Sequence, residues 1–347
     1  MAYGGRDMSN MTEHEFDHLA SAGFNRIPLI ATALADLETP ISLYYKLAQS
    51  ERNGANSFLA ESVVDGQCYS RYAYIGLPAR TILRARYIDG VVAGEVVRDR
   101  EVIEARNGDL LAFAARFQAR LQYAKHPSFS LPCVSLSGYF TPSEMNIRSQ
   151  GRVSRVCRDH PALPDMQLLL TEELAILDRL AGKLYLVIYV DPAEPGAYAR
   201  GVSRLRELQS RLHGREHLPP GAEHPRIRSY DVGLQRHYIR AVNDAREEIS
   251  AGKRGSIQLT QNVSTSHRSD PLALYRALRS QTPATRMYLF RFDDLSLIGA
   301  SHDAATVSGI EVIDEPVLAA SESHRHCADA PSPARRSYGA TLRELRT

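Results

Sequence analysis

No stretch of the sequence approaches the roughly eighteen consecutive apolar residues of a membrane-spanning helix. The opening residues, MAYGGRDMSNMTEHEF, hold no apolar core for a secretory signal. Together these absences predict a cytoplasmic protein without membrane association. A charge imbalance is also missing: 42 Lys and Arg stand against 40 Asp and Glu, so nothing draws the chain to nucleic acid or an anionic surface. Cysteine is sparse and scattered, at Cys68, Cys133, Cys157 and Cys327. Without a CxxC pair or a secretory context, these are expected as reduced thiols. His324, His326 and Cys327 lie close together, but no second cluster completes a four-coordinate zinc site, and a solvated loop is expected there. No internal repeat is visible.

The composition is that of a globular protein, 44% hydrophobic and 24% charged over 347 residues, enough for one large domain or two smaller ones. The most informative stretch is MYLFRFDDLSLIGAS, residues 287–301. Apolar and aromatic residues fill both faces of two short runs, and Asp293 and Asp294 form the polar break between them, the pattern of a buried β-hairpin. Gly299, Ala300 and Ser301 then leave a strand end almost bare of side chains. Such a strand end admits either a ligand or a crossing strand.

Thr12 and Glu15 form a capping-box pattern before a short helix. Strand 26–32 and a proline-entered helix from Pro40 follow. Residues 57–64, SFLAESVV, read as a strand whose Glu61 and Ser62 either face solvent at a sheet edge or line a polar pocket. A strand pair is expected around Asp89-Gly90, helices over 109–122, 196–213, 234–251 and 272–281, and strands over 131–140, 168–177 and 183–190. A surface loop is expected over 141–161. Residues 214–229, rich in His, Pro and Gly, read as a linker. The domain division is therefore 1–213, a linker at 214–229, and 230–347.

Several of these stretches, in order, resemble component I of anthranilate synthase, a chorismate-utilising enzyme. They are FNRIPLIATALADLETPISLYYKL, SFLAESV, RYAYIGL, LPDMQLLLTEELAILDRLAGKLYLVIYVDPAEPGAYAR, YIRAVNDAREEISAGKRGSIQLTQ, LYRALRSQTPATRMYLFRF and LSLIGASHDA. The resemblance runs from about Phe24 to about Asp303. It implies an α+β fold, a two-sheet β-sandwich with flanking helices, whose first part carries a tryptophan effector site and whose second part begins a chorismate-binding domain. The implied reaction converts chorismate and ammonia to anthranilate and pyruvate in tryptophan biosynthesis, with Mg²⁺ as cofactor and a glutamine amidotransferase subunit as ammonia-supplying partner.

Carried over residue by residue, the resemblance makes Glu61, Ser62 and Met287 effector-binding candidates. Gln261, Gly299, Ala300, Ser301 and Asp303 become substrate-binding candidates. The family's Leu-Leu-Glu-Ser reads Leu59, Ala60, Glu61, Ser62 here, and its Asn-Pro-x-Pro-Tyr-Met reads Thr282 to Met287, with Arg286 replacing the tyrosine. Gly-Gly-x-x-Gly-Tyr becomes Val134 to Tyr139, and Gly-Ala-Ser-Pro-Glu becomes Gly299 to Asp303. Pro-Ile-Ala-Gly-Thr-Arg-Pro-Arg becomes PVLAASES at 316–323, without the threonine or either arginine. The helix bearing the family's metal-binding glutamates and catalytic histidine would begin about where residues 342–347 stand. No catalytic residue or metal ligand is therefore assigned, no specific Mg²⁺ binding is expected, and the chain reads as a C-terminally truncated homologue that is inactive alone. Two other readings fit: a non-catalytic effector- or partner-binding module, and a decaying gene product without function.

Overall fold

The computed structural model describes residues 11–62, 71–88, 91–126, 129, 131, 136–140, 163–214, 232–252, 258–259, 269–281, 286–301, 305–307, 310–312, 318–321 and 340–341. The expected loop at 141–161, the Asp89-Gly90 turn, the linker from residue 215 onward and the His324, His326, Cys327 group lie outside the described residues.

Local chemistry sets the first helix. The Glu15 amide donates to Thr12 Oγ1 at 3.3 Å and the Thr12 amide to Glu15 Oε2 at 2.7 Å, starting α1 (Glu13–Ser21). Strand β1 (Ile27–Leu34) follows. Thr39 and Ser42 repeat the box at the start of α2 (Pro40–Tyr44), which continues as a π-turn over Tyr45–Gln49. Strands β2 (Ser57–Ser62), β3 (Tyr72–Gly76), β4 (Thr81–Ile88), β5 (Val91–Arg98) and β6 (Glu101–Asn107) come next. Asp109 caps α3 (Leu110–Ala119), its Oδ1 accepting from the Ala112 amide at 2.7 Å. Then come β7 (Leu136–Phe140), β8 (Met166–Leu170), β9 (Glu173–Asp178), β10 (Lys183–Val190), α4 (Ala197–Leu212), α5 (Val232–Ser250) and β11 (Gln258–Leu259). Asp270 Oδ1 accepts from the Leu272 amide at 2.8 Å to start α6 (Pro271–Gln281). The chain continues through β12 (Arg286–Arg291), β13 (Leu295–Ser301), β14 (Ala305–Val307), β15 (Ile310–Val312), β16 (Leu318–Ser321) and β17 (Ala340–Thr341).

The fold is α+β, with two large antiparallel sheets. One has eight strands in the order β1-β10-β9-β3-β2-β12-β13-β16, and the other five in the order β6-β5-β4-β8-β7. On one face of the larger sheet, Ile27, Leu29, Leu59, Ile75, Ile188, Met287 and Leu289 bury against Phe16, Leu43, Leu47, Leu205, Leu272 and Tyr275 of the helices and the π-turn. Alternation along β2 and β12 sends Phe58 and Phe290 to the other face, where their rings stack at 5.2 Å. Phe292, just past β12, continues that row and meets Tyr139 of the smaller sheet edge-on at 5.5 Å.

Residues 1–139, 166–222 and 270–323 form one compact unit, and 140–165, 223–269 and 324–347 a second. The described parts of the second are mainly α5 and the β11–β17 pair. Among the described residues, no helix is long and apolar enough to cross a membrane.

One reading from sequence changes, one open alternative is decided and one strand is new. Residues 168–177 are not one strand: the chain breaks at buried Thr171, and β8 and β9 belong to different sheets. Strand β2 is not an edge, because β3 and β12 flank it, so Glu61 is buried rather than solvent-facing. Strand β6 has no counterpart among the sequence expectations, because its side chains are almost all exposed and leave no buried periodicity to find.

Gly138 on β7 tolerates no side chain, since a Cβ there would overlap the carbonyl oxygen of Gln167, a backbone atom in the neighbouring β8. Gly138→Ala is expected to destabilise the fold by about 3 kcal/mol, read as a lower urea midpoint at unchanged slope.

Candidate functional site

Register brings the scattered candidates together. Across β2, β12 and β13, one row holds Ser62, Arg286 and Ser301, the next Glu61, Met287 and Ala300, and the third Ala60, Tyr288 and Gly299. Five of the eight residues singled out from sequence thus occupy two adjacent rows, and Gly299 the third. For Ser62 and Ser301 the structure gives strand positions only. Gln261 and Asp303 lie outside the described residues. Gly299 is small for a local reason: a Cβ there would overlap the ring of Tyr288 directly across the ladder, so its bareness serves the cross-strand neighbour.

Glu61 is the chemical centre of this region. It is only 7% exposed, and donors surround its carboxylate. Oε1 accepts from the Tyr275 hydroxyl at 2.5 Å and from Arg279 Nε at 3.0 Å. Oε2 accepts from Arg279 Nη2 at 3.2 Å and from Arg179 Nη2. Arg279 therefore grips both oxygens side-on, the fork geometry that planar guanidinium favours.

The three donors come from two places. Tyr275 and Arg279, four residues apart, share one face of α6, and Arg179 stands in the turn between β9 and β10. Burial pushes the Tyr275 phenol well above its ordinary value, against the pull of the two guanidiniums. Burial and the nearby Arg279 charge push the Arg179 guanidinium down. Two guanidiniums and a phenol already donate to this carboxylate, which has little capacity left for an incoming ammonium group.

None of these partners is among the candidates read from sequence, though the four-residue spacing of Tyr275 and Arg279 within the expected 272–281 helix puts those two on one face. Nothing local marks Arg179, which reaches Glu61 across 118 residues. Among the described residues, no three His, Cys, Asp or Glu side chains converge as a metal site. No step through Mg²⁺ is derived for them.

Residues 91–316 match the family described as chorismate binding enzyme. The chain is 34% identical over 84% of its length to anthranilate synthase component 1 of Neisseria meningitidis serogroup B, spanning 58% of that protein. It is 35% identical to anthranilate synthase component 1 of Pseudomonas aeruginosa, over 84% of this chain and 59% of that one. The chain thus spans a little over half the length of these relatives. The crystal structure of anthranilate synthase component I from Streptococcus pneumoniae aligns with TM-score 0.49 and 19% identity, over 78% of this chain and 57% of that one.

Replacing Glu61 by Gln leaves two guanidiniums facing each other with a neutral acceptor. Their side chains retain 20% and 28% exposure, which softens the penalty, so about 2–4 kcal/mol of stability is expected to be lost. Tyr275→Phe should cost about 1.5–3 kcal/mol for a hydrogen bond to a charged group. Stability should also fall as pH rises through about 10, because the unfolded chain releases phenolic protons there while Tyr275, and Tyr44 with its phenol pushed up to about 12, keep theirs when folded. Each contributes roughly 1.4 kcal/mol per pH unit. Denaturant titrations of the wild type and Tyr275→Phe between neutrality and pH 11 check this, the variant giving the shallower fall.

Proposed function

The chain belongs to the chorismate binding enzyme family, and on that premise we propose that it is an anthranilate synthase component I-like protein of tryptophan biosynthesis, holding the effector-side framework of such an enzyme. The reading rests chiefly on the Glu61 row, where the carboxylate of the family-like Leu-Ala-Glu-Ser run lies beside Met287 across a ladder that also carries Gly299 and Ala300. The reaction assigned to the whole enzyme is conversion of chorismate and ammonia to anthranilate and pyruvate. A glutamine amidotransferase subunit is its ammonia-supplying partner, and the cytoplasm its compartment.

Within this proposal, residues 1–347 taken alone do not carry out that reaction. Chorismate is a dianion, and a working site needs cations or a metal ion at both carboxylates and a placed proton donor. The stretch 316–323 reads PVLAASES, without the threonine and arginines that the family resemblance implies. Of the cations at the candidate rows, Arg179 and Arg279 are engaged by Glu61, while Arg286 stands in a row itself, between Ser62 and Ser301.

The same commitment supports a second conclusion, that the effector pocket has become a structural element. A bound amino acid would have to displace at least one guanidinium from Glu61 to place its ammonium group there, and that exchange leaves a partly buried cation without its carboxylate. A non-catalytic module that responds to tryptophan is therefore disfavoured.

Calorimetry with tryptophan is expected to show no binding tighter than about 1 mM, and a micromolar Kd would overturn the structural role given to Glu61. Purified chain supplied with chorismate, Mg²⁺ and ammonium is expected to give no anthranilate fluorescence above a protein-free control. Product formation would show that residues 1–347 hold a complete site.

A further inference from the structure

A second polar site lies at the opposite end of β12 from Met287. A cleft of about 200 Å³ opens there, and its polar lining consists of Asn53, Arg100, Arg291, Asp293 and Ser296. It belongs neither to the Glu61 cluster nor to the candidate rows, and its interpretation does not depend on the function proposed above.

Three observations converge on it. Arg291 has a side chain 5% exposed, and its Nη1 makes an ion pair with Asp270 Oδ2 at 3.7 Å, a separation too long for a charge-assisted hydrogen bond. Its Nη1 is buried without a hydrogen bond. Asp270 is itself engaged, by the Leu272 amide and by Gln49 Nε2 at 3.5 Å. A guanidinium held this deep with so few acceptors favours an anionic group beside it.

Backbone conformation is the second observation. Among the described residues, the non-glycine positions with positive φ are Asn53, Asn56, Asp99 and Arg100. Asn53 and Arg100 line the cleft, Asp99 precedes Arg100, and Asn56 donates to Asp293 at 3.3 Å. Asp99 and Arg100 form the two-residue turn that joins β5 to β6, which calls for positive φ at both positions, and this turn is what carries Arg100 to the cleft.

The third is charge pattern. Two arginines and one aspartate line a single small space. A plain anion would satisfy the arginines and be repelled by Asp293, and a plain cation would meet the reverse. A molecule bearing both charges on neighbouring atoms satisfies all three.

We propose that this cleft binds a small zwitterion, a free α-amino acid with a short side chain, its carboxylate held by Arg291 and Arg100 and its ammonium group by Asp293. The volume suits a molecule of alanine or serine size.

Saturation-transfer NMR on the full chain with L-alanine tests this, with acetate and methylammonium as single-charge controls. Alanine is expected to receive saturation, with acetate and methylammonium each binding at least about tenfold more weakly. Arg100→Ala and Asp293→Asn, both at exposed positions, should each weaken alanine about tenfold or more while melting as the wild type does. Absence of transfer to alanine at roughly 10 mM, acetate binding as well as alanine, or unchanged alanine binding in both variants would each overturn the proposal.

Discussion

The carboxylate of Glu61 is the point on which the larger sheet and its helical cover depend together. A buried acidic group in the middle of a strand must find donors, and here they come from α6 and from the β9–β10 turn. One side chain thereby fixes a helix, a turn and two strands to a common origin. The same tactic recurs elsewhere in the unit. Arg204 of α4 reaches Glu173 at the start of β9 and Glu51 beyond the π-turn, and Arg26 joins Asp191 and Glu172. Arg71 holds buried Asp178, which also accepts the Leu180 and Ala181 amides. Guanidinium forks at strand ends position what apolar packing alone leaves free to slide.

Between these polar ties the packing is ordinary alternation. Along β12, Met287 and Leu289 enter the helix-covered core while Phe290 faces the other way and stacks on Phe58. A shift of one residue in the β2–β12 register would put Glu61 among the aromatic rings and Phe58 under the helices. The ion cluster on one face and the aromatic row on the other therefore enforce the same register, each excluding the alternative that the other would permit.

Much of the fold was legible in the sequence because its signals are local. The Thr12–Glu15 box, the proline-entered helix at Pro40 and the Asp293-Asp294 break between β12 and β13 depend on a few neighbouring residues, and each appears where the pattern placed it. What the sequence left hidden is long-range. Residues 166–178 are apolar almost throughout, so the change of sheet at Thr171 has no periodic signature. Glu61 could be singled out, but its burial depends on β12 arriving at the flank of β2. Arg179 has no signature at all, since its role is set by where a turn falls in space. Arg291 was likewise invisible, being one arginine in an apolar strand until the third dimension showed how few acceptors it meets.

The discontinuous make-up of the main unit has a consequence during synthesis. Glu61 and Tyr275 are 214 residues apart in the chain, which at about 5–20 residues per second takes a ribosome roughly 10–40 s to bridge. Throughout that interval β2 has emerged while the partner for one of its edges has not, and its buried acid lacks the tyrosine and one arginine that satisfy it. The nascent chain thus carries an open, partly apolar strand edge long enough to meet other chains, and the half-neutralised carboxylate acts as the gatekeeper that keeps that edge hydrated until its partner strand arrives.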